Sequence, residues 1–355
     1  MSNCKQIYRM IVPLFLRKKI GLVRCFFSNR EKYNRLHFYR KHNVSFGKEN
    51  SDKRFFVVRR DSRATGLLAC YICALGHMID VDKDVLSGRL IPVMDMFSEH
   101  YGMAHNNEDG EKKVNAWEYY FKQLSDYSMN DVLKSRHVTL SYGYEVENAL
   151  QFFHDNEFNR ETVKSYLDIH NRYFHLRDDL KQRFDDYANY MFDGKRVLGT
   201  NIRESYIVLA NGRDNHEESY NGEYISGHPK QPGIEELCDI LEKKMHEWNC
   251  DYVFAECQTS YIENKLRERF GVFFLCSNHK RLIVDNLSLN SYKEASKKQK
   301  EGYSVVQNNI DYLKSIYLLS KCTSVYAGKC SGTVVAAFWN DNKYEHLEIF
   351  NNGVY

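Results

Sequence analysis

Proline is scarce, with Pro13, Pro92, Pro229 and Pro232 the only four in 355 residues, so few breaks are imposed on helices and strands. No apolar run is long enough to span a bilayer; Met10 to Leu16 is far too short. Internal repeats and low-complexity segments are absent, which excludes solenoids and fibrous architectures. The ten cysteines lack tight spacing and no secretory leader precedes them, so they read as reduced intracellular thiols and not as a disulfide framework. Cys70 and Cys73 form one CxxC inside an amphipathic pattern, without the second pair that a zinc site needs. A GK[ST] phosphate loop is missing, and no nucleic-acid-binding motif accompanies the basic residues.

What is present fits a folded globular chain: 43% hydrophobic, 27% charged and 14% aromatic residues. The net charge of +3 hides an asymmetry. Before residue 61 the only acids are Glu31, Glu49 and Asp52, set against Arg17, Lys18, Lys19, Arg24, Arg30, Lys32, Arg35, Arg40 and Lys41 among others. Within Ile7 to Phe27 these cations interleave with Ile11, Leu14, Leu16, Ile20, Leu22 and Val23. Such a basic amphipathic helix suits an anionic membrane surface; it equally suits a helix packed on the body with its lysines in water.

Along the body, apolar strands alternate with helical periodicity. Arg54 to Arg60 predicts a strand, Leu67 to Ile79 a helix and Leu90 to Met96 a second strand, together a βαβ unit. Asn115 to Phe121 is helical or irregular, Val138 to Leu140 a short strand, and Val146 to Tyr190 helical with Phe152, Phe153, Phe158, Tyr173 and Phe174 on its buried side. Then come a strand at Val197 to Ile202, a helix from Ile234 to Trp248, a strand at Asp251 to Ala255, a helix through Ile262, Leu266 and Phe270 stopped by Gly271, and a strand at Val272 to Cys276. Ile310 to Leu319 is helical, Ser324 to Ala327 a strand, and Thr333 to Phe338 a helix. The alternation predicts doubly wound parallel α/β architecture, divided into a basic helical arm (1–50), an N-terminal α/β domain with a helical linker (51–190) and a C-terminal nucleotide-binding domain (191–355).

Two stretches carry candidate chemistry. In RVLGTNIRES, Val197, Leu198 and Ile202 form a covered strand whose carboxyl end is narrowed by Gly199, Thr200 and Asn201 and delivers Arg203. That is where open α/β sheets bind ligands, and a guanidinium fork there matches two phosphate oxygens. The alternative is a strand-end arginine in a surface ion pair. The second stretch, Gly328-Lys329-Cys330-Ser331-Gly332-Thr333, places small residues before a helix whose positive end attracts anions; its alternative is an ordinary Ser/Thr-rich cap. Asp80, Asp82 and Asp84 resemble a metal-binding D-x-D but read as a solvated helix end, so no metal or other cofactor is expected.

From residue 54 to 355 the chain resembles the fucosyltransferases that share the two-domain glycosyltransferase B fold: the nodulation-factor and core N-glycan α-1,6 enzymes, with protein O-fucosyltransferases more distant. The resemblance rests on RVLGTNIRES, on DYVFAECQ followed by RERFG, and on DYLKSIYLLSKCTSVYAGKCSGT; FFVVRR, IPVMDM and NAWEYYF look more like bacterial polysaccharide-locus members. It implies two Rossmann-like domains and an inverting, metal-independent transfer of fucose from GDP-fucose to a glycan hydroxyl. The acceptor would be a surface polysaccharide or lipid-linked oligosaccharide, and the protein cytoplasmic, held peripherally at the inner membrane face by its arm. It further implies that Arg203 pairs with the donor's β-phosphate, that Asn201 lies beside the nucleotide, that Ser315 contacts guanine, and that Ser331, Gly332 and Thr333 hold the phosphates.

The chain departs from that family at three points. Glu204 stands where the family has a second arginine, Ser205 and Tyr206 displace an aspartate, and Glu256-Cys257-Gln258 replaces a T-D-D turn. A polar insertion, Asn211 to Glu223, precedes Gly227-His228-Pro229. Glu204 and His228 are the candidate general bases, each with a structural alternative: Glu204 as the ion-pair partner of Arg203, His228 as a packing histidine. Another nucleotide sugar, or a non-catalytic nucleotide- or glycan-binding role, are the competing readings.

Overall fold

Two sheets follow one another along the chain, each built from strands whose carboxyl ends feed helices. The computed structural model describes residues 41–59, 66–96, 115–141, 158–217, 228–300 and 304–355. The amphipathic stretch Ile7 to Phe27, Phe152 and Phe153, the insertion beyond Glu217, and Gly227 lie outside the described residues.

The first sheet holds β1 (His42–Val44), β2 (Phe55–Arg59), β3 (Ile91–Asp95) and β4 (Val138–Leu140) in the order β1-β4-β2-β3. β2 runs parallel to both β3 and β4, with β1 antiparallel on the edge. Residues 42–44 are thus a strand of the body, which corrects the arm boundary at residue 50. Helix α1 (Leu67–Leu86) crosses from β2 to β3, α2 (Met129–Val132) precedes β4, and α3 (Arg160–Tyr173) and α4 (Asp178–Phe192) lead to the second sheet. α1 outlasts the Leu67 to Ile79 expectation because Val81 continues its buried stripe and Asp82 accepts from Arg172 and from the Tyr173 hydroxyl (2.9 Å). The three aspartates are therefore not a uniformly solvated end, and Asp84 pairs with Arg89 at 2.5 Å.

The second sheet holds β5 (Val197–Asn201), β6 (Tyr252–Glu256), β7 (Phe274–Leu275), β8 (Ser324–Gly328) and β9 (Leu347–Phe350), all parallel, in the order β7-β6-β5-β8-β9. Between them run α5 (Glu204–Asp214), α6 (Ile234–Glu247), α7 (Ser260–Phe270), α8 (Leu289–Lys300), α9 (Val305–Lys321) and α10 (Ser331–Trp339). The strand expected over Val272 to Cys276 shrinks to two residues, since Gly271 ends α7 at φ +55° and the chain turns through a 3-10 segment, Gly271–Phe273. The 3-10 turn Ala116–Tyr119 likewise resolves the aromatic stretch after β3 as irregular.

Alternation along the strands sorts side chains into layers. Phe56 and Val58 of β2 join α1, while Phe55 and Val57 face α2 and Val93. In β5, Val197 turns toward α9 and α10, and Leu198 toward α6 and α7. One continuous core, including Tyr71, Trp117, Phe174, Phe184, Leu318 and Phe338, fills the space where α1, α3 and α4 meet α9 and α10. Each such large side chain removed from water contributes about 1.5–3 kcal/mol, so the two sheets are held together by core and not by a linker alone.

Candidate functional site

In the second sheet the chain steps outward from β5 to β6 and β7, then returns to the other side of β5 as β8 and β9. The winding therefore reverses between β5 and β8, and sheets of this kind hold ligands at the carboxyl ends of the strands at such a switch point. Asn201 ends β5 and Gly328 ends β8. The two candidate stretches thus flank the switch point.

Asn201 joins them directly. Its Nδ2 donates to Cys330 Sγ at 3.2 Å and approaches Thr333 Oγ1 at 3.5 Å. Gly332 is required between: a Cβ there would stand 2.6 Å from Asn201 Nδ2, 2.8 Å from Ile316 Cδ1 and 2.8 Å from the Tyr312 hydroxyl. α10 begins at Cys330 without a side-chain cap, whereas Thr259 caps α7 and Ser304 caps α9. Among the described residues its first-turn N–H groups have no side-chain acceptor and, with the Ser331 hydroxyl, form a donor set suited to an anion, while the Thr333 hydroxyl is engaged by Asn201 and Cys330.

Arg203 opens α5 on the same side. Its N–H donates to Gln231 Oε1 at 3.3 Å, and its guanidinium carbon lies 5.1 Å from the Tyr206 ring centroid. Nε is buried without a hydrogen-bond partner, and the side chain makes no ion pair among the described residues. The surface ion pair that the sequence leaves open is therefore not formed among the described residues. Burial opposes the charge, but the Tyr312, Cys330 and Tyr206 side chains around it offset that cost and hold the guanidinium protonated. A half-buried cation with no ion pair among the described residues suits an anionic ligand.

Glu204 turns away from Arg203. Fully buried, it accepts with Oε1 from the Gln258 N–H and from the Thr259 N–H (3.3 Å), tying α5 to the loop before α7. Its Oε2 is buried without a partner, and burial pushes the carboxyl up to about 7. The ion pair with Arg203 suggested by adjacency in sequence is absent among the described residues. His228, by contrast, is exposed and stacks on Tyr206 at 4.6 Å and 21°. Burial of part of its ring, with Arg203 nearby, lowers the imidazole pKa, and its side chain makes no hydrogen bond among the described residues. Arg203, Tyr206 and His228 form one cluster.

Ser315 lies on α9, deeper and on the β6 side. Its Oγ is 2.6 Å from Ser277 Oγ and 3.2 Å from His279 Nδ1, and it donates to the Asp311 carbonyl at 3.3 Å. Burial and the neighbouring Arg281 push His279 down to about 3, so it is neutral. Glu256, the β6 residue in register with Asn201, faces the same pocket wall; burial lifts it to about 8, and its Oε2 is unpartnered. Among the described residues no group of three His, Cys, Asp or Glu side chains could hold a metal ion.

Tyr206, Gln231 and Tyr312 belong to this cluster without having been found in the sequence. Tyr206 follows Arg203 by three residues, helical spacing that a predicted helix over 204–214 would have disclosed. Gln231 and Tyr312 reach Arg203 from 28 and 109 positions away, and no local pattern marks such contacts.

No protein-family model matches the sequence, and no curated protein matches it. Among solved structures, the chain is similar to NodZ alpha-1,6-fucosyltransferase soaked with GDP-fucose, at 12% identity and a TM-score of 0.43 over 81% of this chain and 92% of that one. It is similar to fucosyltransferase NodZ from Bradyrhizobium at 12% identity and 0.35, over 77% and 88%, and to POFUT1 in complex with GDP at 8% identity and 0.36, over 86% and 76%.

Proposed function

We propose that this protein is an inverting, metal-independent glycosyltransferase of the two-domain B fold that transfers fucose from GDP-fucose to a glycan hydroxyl in surface polysaccharide synthesis. The observation that carries the reading is the Asn201 bridge, which sets Arg203 and the uncapped start of α10 on two sides of one switch-point crevice. A half-buried guanidinium with no ion pair among the described residues, at the same switch point as an uncapped helix start, suits a diphosphate bearing two negative charges. The donor sugar and the guanine base come from the sequence resemblance, with Ser315 as the guanine contact.

Transfer requires the C1–O bond to the β-phosphate to break while the acceptor oxygen attacks from the opposite face. Arg203 then meets the charge that develops on departing GDP, and the α10 amides with Ser331 and Thr333 steady both phosphates. His228 takes the acceptor's proton: it is exposed, neutral at pH 7 and without a hydrogen bond of its own among the described residues. Glu204, buried and already accepting from two backbone N–H groups, serves the loop before α7 instead. The basic N-terminal arm attaches the enzyme to an anionic membrane surface that presents the lipid-linked acceptor.

Titration calorimetry with GDP and GDP-fucose, coupled to donor hydrolysis, tests the reading. Binding of both with turnover is the expected result. Binding without turnover under mixed acceptors leaves the non-catalytic relative, and selective binding of another nucleotide sugar moves the donor assignment. Replacing Arg203 by Lys is expected to cost about 2–4 kcal/mol of transition-state stabilisation while the fold is retained; unchanged kcat/KM removes Arg203 from the mechanism.

A further inference from the structure

Residues 351–355 pair with residues 228–231, the segment that meets the backbone of Arg203. Val354 pairs antiparallel with Pro229, the Lys230 N–H donates to the Gly353 carbonyl at 2.9 Å, and the Tyr355 N–H donates to the His228 carbonyl at 2.9 Å. The Tyr355 hydroxyl accepts from the Gln231 N–H at 3.3 Å. Gln231 in turn accepts with Oε1 from the Arg203 N–H at 3.3 Å and donates with Nε2 to the Pro229 carbonyl at 3.2 Å. Pro229 and Pro232 flank this segment and restrict its backbone. Below it, Gly328 leaves room for Gln231 Nε2 and the Phe350 ring, which would lie 3.3 Å and 2.7 Å from a Cβ at that position.

The consequence concerns two side chains whose own anchoring is slight. Among the described residues the His228 imidazole rests on Tyr206 alone, so its place depends on where the 228–231 backbone is held. The first N–H of Arg203 meets the same backbone through Gln231. We infer that Gln231 and Tyr355 are positioning residues, which fix Arg203 and His228 at one separation by strapping residues 228–231 to the segment 351–355. This rests on the nucleotide-sugar reading for its purpose, and on the hydrogen bonds alone for its geometry. A phosphate-binding cation and a proton acceptor that serve one transfer must hold their spacing to within a fraction of an ångström, and loop residues do so only when braced.

The test compares the full chain with Tyr355→Phe, which removes only the hydroxyl, and Gln231→Met, which keeps length but loses both polar ends. Histidine-labelled protein is titrated by NMR, with His228→Gln assigning the resonance, and GDP binding is measured by calorimetry. In both variants the His228 midpoint is expected to rise toward that of a free imidazole as the ring moves off Arg203. GDP affinity is expected to fall about three- to tenfold, and the melting temperature by about a few degrees at most, the loss that one or two intramolecular hydrogen bonds bring. Should one variant fail to fold, the other decides. An unchanged His228 titration and unchanged GDP affinity overturn the inference. If the wild-type chain binds no GDP, or Arg203→Lys binds it equally well, the nucleotide-sugar reading fails, and the His228 titration still decides whether the strap positions the ring.

Discussion

Arg203 and the two glutamates beneath it divide the electrostatic labour of the crevice. The cation makes no ion pair among the described residues, whereas Glu204 and Glu256 are buried where ionisation is costly. For Glu256 the folded-state value of about 8 exceeds the ordinary 4.5, so the unfolded chain releases its proton first as pH rises. The contribution of this group to stability is complete below pH 4.5 and is lost as pH rises through about 8. Glu256→Gln, neutral at every pH, is therefore expected to match the wild type near pH 5 and to exceed it by on the order of 2–4 kcal/mol near pH 8 in nucleotide-free protein. Denaturant unfolding at the two pH values checks this; parallel curves for both proteins would mean that Glu256 is ionised and compensated.

At the scale of elements, the crevice depends on how closely α9 and α10 approach the ends of β5 and β8. Gly332→Ala would press a methyl into Asn201, Ile316 and Tyr312, and is expected to destabilise the fold by about 1–3 kcal/mol and to weaken nucleotide binding. Gly233→Ala, at the start of α6 with nothing within 4 Å of the added Cβ, is the matched control and should leave both unchanged. Melting curves and calorimetry distinguish them, and equal behaviour would separate the Gly332 contact from binding. The same packing explains Gly199, where a Cβ would fall 2.6 Å from Leu319 and 2.8 Å from Cys322 Sγ of the α9 end.

Across the whole molecule, one buried polar chain links the halves. Trp339 Nε1 of α10 donates to the Tyr71 hydroxyl of α1 at 3.1 Å, and that hydroxyl lies 2.8 Å from His170 Nε2 of α3. His170 Nδ1 meets Asn171 Oδ1 at 2.7 Å, and Asn171 donates to Asp341 at 2.9 Å. The partners are satisfied by a neutral imidazole protonated at Nδ1, and burial lowers the His170 pKa to about 4. Here the sign is opposite to Glu256: below pH 6.5 the unfolded chain gains the proton first, so stability is lost as pH falls from 6.5 toward 4. A loss on the order of 3 kcal/mol is expected over that window and a flatter profile in His170→Gln, both read by denaturant unfolding. At the same scale, a chain beginning at Lys41 keeps β1 in the first sheet and should lose binding to vesicles containing phosphatidylglycerol; retained binding would detach the arm from the membrane role. No helix among the described residues is long and apolar enough to cross a membrane.

Sequence alone determined the order and kind of most elements, and Arg203 with the Gly328 to Thr333 loop as the candidate anion site, because apolar periodicity, glycine stops and strand-end position are local properties. It missed β1, α2, α5, α8 and β9, where the pattern is short or polar, as in Leu289–Lys300 with its four lysines. Only the tertiary structure decided that Arg203 makes no ion pair among the described residues, that Glu204 serves the loop before α7, and that Gln231 joins Arg203 to Tyr355. Those outcomes depend on contacts between residues tens to more than a hundred positions apart, and their energies come from burial and hydrogen-bond geometry that no stretch of neighbouring residues encodes.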